Sequence, residues 1–246
     1  MLTTNELKGY AHMRRLRIVD QIWKDYLQDL SLHILYRHTP SLVFRGGTCI
    51  WKVYRGDRFS EDLDMCATNI PPEAGEHVAR ELGFLGFECG VQRKKRTANM
   101  EFVKLSVTSL AHPRSIPLHV EILASAECSA RGCPVTMYSP YPDVPPVEMR
   151  VPGAGDMASD KVSAIYGRDK PRDVHDLYTL LKQGAKLNMT EVRRKVPGFT
   201  LPAFRKKMEE KRRDWKTLEP LLVARLPALE EEIRYVMGCA RQSETS

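Results

Sequence analysis

The chain has 246 residues, 42% hydrophobic and 28% charged, with 38 Lys and Arg against 31 Asp and Glu for a formal net charge of +7. Apolar content near the globular average excludes wholesale disorder. No run approaches the roughly 18–20 uninterrupted apolar residues of a membrane span, and six cysteines are too sparse for a disulfide framework. The N-terminal stretch has no apolar segment followed by a small-residue cleavage site. A cytoplasmic protein of one or two domains with reduced thiols and no membrane partner is therefore expected. Its positive balance favours polyanionic partners.

Apolar residues at helical spacing from Leu16 to Leu35, with no proline before Pro40, predict one long helix or two shorter ones. Leu42-Val43-Phe44 is a short apolar run stopped by Gly46-Gly47, and Thr48 is placed to cap a helix reaching Tyr54. Leu63 and Met65 alternate with Asp62 and Asp64, which predicts a strand with one acidic face. A helix over Gly75–Leu85 precedes strands at Phe87–Gln92, Met100–Val107, Leu118–Leu123 and Val135–Tyr138. Five prolines between Pro140 and Pro152 suit a connector. Beyond it, Gly155–Gly167, Arg172–Leu181, Thr190–Val196, Pro202–Trp215 and Leu218–Met237 read as helices. The expected class is α+β: a mixed sheet with flanking helices over residues 1–150, then a helical domain over 151–246.

Four stretches carry chemistry. Phe44-Arg45-Gly46-Gly47-Thr48 brings a strand into a glycine turn at a helix start, which is either an ordinary strand-to-helix connection or a place where the backbone can approach a phosphate; no Gly-Lys-Ser/Thr follows, so it is not a P-loop. In Arg58-Phe59-Ser60-Glu61-Asp62-Leu63-Asp64-Met65, the two aspartates share a strand face about 6–7 Å apart. They repel one another unless they face solvent or hold a divalent cation. Glu121, in the apolar run Leu118–Leu123, is either a third carboxylate beside them or an outward-facing surface residue. Finally, Lys161 and Arg168 share a helix face ahead of Arg172, Asp173 and Asp176, which suits either a salt-bridged helix pair or a triphosphate-binding group.

Taken together, FRGGTCIWKVYRGDRFSEDLDM (44–65) and KVSAIYGRDKPRDVHDLYTL (161–180) resemble the AbiEii/AbiGii-type nucleotidyltransferase toxins, within the polymerase-beta-like nucleotidyltransferases. Both blocks fit in order and spacing; Arg45 stands where that family usually has Lys, and Cys49-Ile50-Trp51 is bulkier than its usual helix start. The resemblance implies a nucleotidyltransferase-fold sheet and assigns Gly46, Gly47 and Thr48 to the nucleotide-phosphate turn. It makes Asp62 and Asp64 the magnesium ligands, Lys161 a nucleotide contact and Asp176, with Asp173 beside it, the completion of the site. Arg58, Ser60 and Arg172 join the nucleotide-binding set, and Glu121 fills a third metal-ligand position. The same resemblance implies an Mg2+-dependent enzyme binding an NTP between its two domains, with RNA, foremost a tRNA 3′ end, as acceptor and a cognate antitoxin as partner. Asp176 positions either Lys161 or the acceptor.

Two alternatives stand beside this reading: NTP-dependent modification of a protein acceptor, and a non-enzymatic partner-binding module. Cys128-x4-Cys133, with His112 and His119 upstream, fits no Cys-x2-Cys zinc spacing, so structural or free thiols are expected. His175 is expected on a solvent-exposed helix face. Arg205–Lys216, with seven basic and three acidic residues, reads first as a solvated helix face and second as an RNA-backbone contact.

Overall fold

Thr3 and Glu6 form a capping box, each side chain bonding the other's backbone N–H, and open the first helix, α1 (Thr4–Ala11). Left-handed Arg15 (φ 60°) separates it from α2 (Val19–His38), so the N-terminal region forms two helices. α2 is buried along most of its length, polar residues included. Its Asp25 and Asp29 pair with Arg14 at 2.6 and 2.9 Å, and Gln28 donates to the carbonyls of Ser60 and Glu61. These partners satisfy the two carboxylates and the Gln28 amide nitrogen, groups that would otherwise be costly to bury.

The structure is a computed structural model describing residues 2–126, 128 and 132–245. The described strands are β1 (Val43–Arg45), β2 (Asp62–Ala67), β3 (Glu88–Arg96), β4 (Met100–Ser109), β5 (His112–Ala124), β6 (Gly132–Met137) and β7 (Val147–Pro152). They form one mixed sheet in the order β3-β4-β5-β2-β1-β7-β6, with β2–β5 and β1–β7 parallel. Val103, Leu105, Val107, Val120, Ile122, Leu63 and Met65 bury one face. α2 and α4 (Ala74–Phe84) pack in the same unit.

The chain divides into two compact units: Met1–Cys49 with Ser60–Pro152, and Ile50–Phe59 with Gly153–Ser246. α3 (Gly46–Lys52) runs through the first boundary. The second unit contains α5 (Ala154–Gly167), α6 (Arg172–Lys182), α7 (Met189–Lys195), α8 (Leu201–Glu209), a 3-10 stretch Glu210–Leu221 and α9 (Leu229–Thr245). Residues 57–59 enter it as an extended segment: Arg58 bridges Leu222, Phe59 N–H donates to Leu221 O and Val223 N–H to Asp57 O.

Several expectations are corrected. The proline-rich connector ends in a strand, because Val147, Met149 and Val151 alternate into the core and β7 pairs with β1. The helix expected over Leu218–Met237 starts only at Leu229, since Pro220 and Pro227 cannot donate to a helical ladder. α8 likewise gives way to 3-10 geometry after Glu209. Thr48 caps nothing, as α3 begins two residues earlier, at Gly46. Reduced thiols were expected throughout, yet Cys66 and Cys128 form a disulfide, their Cα atoms 5.9 Å apart where β5's exit returns over β2. No described helix is long and apolar enough to cross a membrane.

Candidate active site

In the first unit the site starts from a glycine. Gly46 has φ +76°, and a Cβ there would run into the Asp64 carboxylate. Arg45 lies opposite Asp64 in the β1–β2 register, so Asp64 folds over the turn that leaves β1. Gly46→Ala is expected to lose about 1–2 kcal/mol from left-handed backbone strain and to displace Asp64. Urea unfolding and transferase assays together check this: stability and activity should fall in the same variant.

Two further contacts hold β2. The buried Thr48 hydroxyl donates to Asp62 O, and Gln28 clamps the preceding carbonyls, including that of buried Ser60. Sequence reasoning missed Gln28, because nothing local marks a glutamine that bonds residues more than thirty positions away. Asp62 and Asp64 alternate with buried Leu63 and Met65 and so share the other face of β2. Along β5, in parallel register, His119 stands beside Asp62 and Glu121 beside Asp64. His119 Nδ1 lies 2.8 Å from Asp62 Oδ1. A carboxylate only accepts, so this nitrogen carries the proton and fixes one oxygen of Asp62.

Among the described residues no three His, Cys, Asp or Glu side chains converge into a metal cluster. Glu121 stands beside Asp64 in the β2–β5 register. The donor set still suits magnesium, which takes oxygen ligands and usually binds one or two carboxylates together with water and substrate phosphates.

The second unit gathers the other motif into a buried ionic cluster. Arg58 donates to both oxygens of Asp176 at 2.9 and 3.0 Å. Lys161 Nζ lies 2.6 Å from Asp176 and 3.0 Å from Asp173, and Arg168 grips Asp173 at 2.7 and 2.8 Å. Arg58, Lys161, Asp173 and Asp176 are all at most 5% exposed. Burial pushes the Asp176 carboxyl up, but Arg58 and Lys161 outweigh it and hold the group well below the usual carboxylate range. Asp173 is lowered too: Arg168 and Lys161 overcome its burial. Arg172 is half-buried at the start of α6. Three cations face two carboxylates, and the salt-bridged helix pair is thus realised with Arg58 as a third arm.

His175 corrects another expectation, being fully buried. Its Nδ1 meets Glu232 at 2.6 Å and its Nε2 meets Asp57 at 2.9 Å, with Trp215 edge-on to the ring. Burial lowers its pKa, yet the hydrogen bonds it donates to Asp57 and Glu232, with their negative charge, raise it to about 10. Folded-state protonation above the ordinary value of 6.5 stabilises most below about pH 6.5, and that contribution is lost as pH rises through about 10. The urea midpoint should accordingly fall across this window, and His175→Gln should flatten the fall.

Much of the basic stretch Arg205–Lys216 is spent on internal pairs. Arg205 meets Glu209, Lys207 meets Glu210, Arg212 meets Glu230, and buried Lys211 meets Asp169. This leaves it mainly a paired surface.

Aspartates alternating along a strand, anchored to a positive-φ glycine turn within a mixed sheet, characterise a nucleotidyltransferase. Residues 33–235 match the family described as nucleotidyl transferase AbiEii toxin, type IV TA system, and the chain belongs to that family. Among solved structures its fold is similar to JHP933 from Helicobacter pylori, with TM-score 0.60 and 18% identity over 92% of each chain. It is also similar to a chain described as a candidate nucleotidyltransferase from H. pylori, with TM-score 0.59 and 18% identity over 91% of this chain and 95% of that one. Comparison with curated protein sequences yields no match.

Proposed function

We propose that this nucleotidyltransferase is magnesium-dependent and moves a nucleoside monophosphate from an NTP to the 3′ hydroxyl of a tRNA, releasing pyrophosphate and withdrawing that RNA from translation. The observation that carries this reading is the placement of Asp62 and Asp64 on one face of β2, with Asp64 over Gly46. Asp62 and Asp64 would hold the divalent cation, which when bound would supply charge neutralisation at the phosphates. His119 orients Asp62, while Thr48 and Gln28 hold the backbone on which the pair depends. Gly46 and Gly47 form the turn assigned to the nucleotide phosphates. Lys161 is the cation assigned to the triphosphate, supported by a cluster in which cations outnumber carboxylates. Asp176, 2% exposed and 2.6 Å from Lys161 Nζ, positions Lys161. The toxin–antitoxin family implies an antitoxin protein as partner.

Purified protein, magnesium, total tRNA and each α-labelled NTP in turn test the reading, with an Asp62→Ala, Asp64→Ala double variant alongside. Label on tRNA that the double variant loses supports it and names the nucleotide. Label on protein moves the acceptor to protein, and absence of NTP binding by folded enzyme overturns the reading.

A further inference from the structure

The aspartate pair is one end of a longer row on the same sheet face. Strand register aligns Lys95, Phe102, Glu121 and Asp64 across β3, β4, β5 and β2, and aligns Lys104, His119 and Asp62 alongside. The intervening residues Val103, Val120 and Leu63 are buried on the opposite face, so alternation puts both rows on the face that bears the aspartates. Phe102 is half-buried there and not in the core. Its ring lies 5.8 Å from that of His119, tilted by 45°. Adjacent strands are about 4.8 Å apart, which puts the Lys104 backbone about 10 Å from that of Asp62 and the Lys95 backbone about 14 Å from that of Asp64. Glu121, between Phe102 and Asp64, disfavours a phosphate beside the aspartates in its row, so the backbone path runs along Lys104 near the aspartates and reaches Lys95 only two strands away from Glu121.

We propose that this face holds the unpaired 3′ end of the RNA acceptor, with Phe102 and His119 as the stacking platform and Lys104 and Lys95 as phosphate contacts. The inference rests on the RNA-acceptor reading above. Aromatic rings on an open sheet stack only on bases freed from a duplex, and lysines beside them follow the backbone without regard to sequence. The face therefore selects a single-stranded end, which a terminal transferase must bring to its aspartates.

The experiment measures binding of a short fluorescein-labelled single-stranded RNA, without NTP, by anisotropy across a salt series. Phe102→Ala should weaken binding at least about fivefold, since stacking contributes about 1–3 kcal/mol per base, whereas Phe102→Tyr should retain it. Lys95→Gln with Lys104→Gln should weaken binding and reduce the salt slope by about 1.4, the loss of two phosphate contacts. Lys94→Gln is the matched control, because Lys94 pairs with Glu76 and Glu101 and, by alternation, faces away. The Phe102 and double lysine variants should keep the parent's melting temperature, and every variant should keep its NTP affinity, while Lys94→Gln, which leaves buried Glu101 without that cation, is compared at a temperature where it is fully folded.

Parent-like binding by Phe102→Ala and by the double lysine variant overturns the proposal, as does equal weakening by Lys94→Gln. Failure here is distinguishable from failure of the acceptor reading. If the parent labels tRNA and the variants match it in binding and labelling, the track alone falls. If the parent neither binds the oligonucleotide nor labels tRNA, both fall.

Discussion

Asp64→Ala should reduce nucleotide transfer on the order of 10³-fold or more while leaving the protein folded. The magnitude follows from the charge stabilisation a metal supplies to phosphoryl transfer, several kcal/mol at about 1.4 kcal/mol per factor of ten. Folding should survive because buried Leu63 and Met65, on the opposite face of β2, supply the strand's packing. Asp62→Ala should show a comparable loss. His119→Ala should cost less in the chemical step, because its part there is to orient one oxygen of Asp62. Single-turnover transfer with matched protein concentrations, compared with NTP affinity from calorimetry, separates chemistry from binding. Activity within tenfold of the parent in Asp64→Ala would remove the pair from the reaction.

Arg58→Ala should be the most destabilising single change in the second unit, at about 3–5 kcal/mol, the usual cost of breaking a buried ion pair from one side. The deletion leaves Asp176 buried with Lys161 as its remaining cation and also removes a hydrogen bond to the Phe59 carbonyl. For a chain of this size that corresponds to a melting temperature lower by roughly 6–20 °C. Arg58→Lys should recover part of the loss only, because an ammonium cannot reproduce the two-pronged contact. A paired Arg58→Met, Asp176→Leu variant should be considerably more stable than Arg58→Ala, since it leaves no unpaired buried charge. Thermal unfolding followed by circular dichroism reads all three, and an Arg58→Ala protein within 1 kcal/mol of the parent would contradict the buried network.

The aspartate strand was legible in the sequence because period-2 alternation over Asp62–Met65 survives in any half-buried strand. The order of helices after residue 153 was legible for the same kind of reason, since helical spacing survives in each of them apart from the late start of α9. β7 was obscured by the prolines ahead of it, although Val147, Met149 and Val151 already alternate. The break before α9 was written in Pro220 and Pro227 but outweighed by the apolar periodicity around them. Partnerships were another matter. Arg58 with Asp176, His175 with Asp57, and His119 with Asp62 are separated by 118, 118 and 57 positions. No local pattern encodes such pairings, so a histidine set among charged residues read as exposed, although distant Asp57 and Glu232 are its burial partners.

The assignment of Ile50–Phe59 to the second unit has a consequence for how such proteins can be recombined. The chain leaves the first unit after Cys49, returns at Ser60 and leaves again after Pro152. Cutting at the late boundary alone would strip the helical part of the segment that supplies Asp57 to His175 and Arg58 to Asp176. A chimera between two relatives would have to carry both pieces from the same parent, and ten residues lying between the glycine turn and the aspartate strand would travel with the C-terminal half. Exchange at a single crossover would mismatch the buried charges, so the two units are expected to be inherited together.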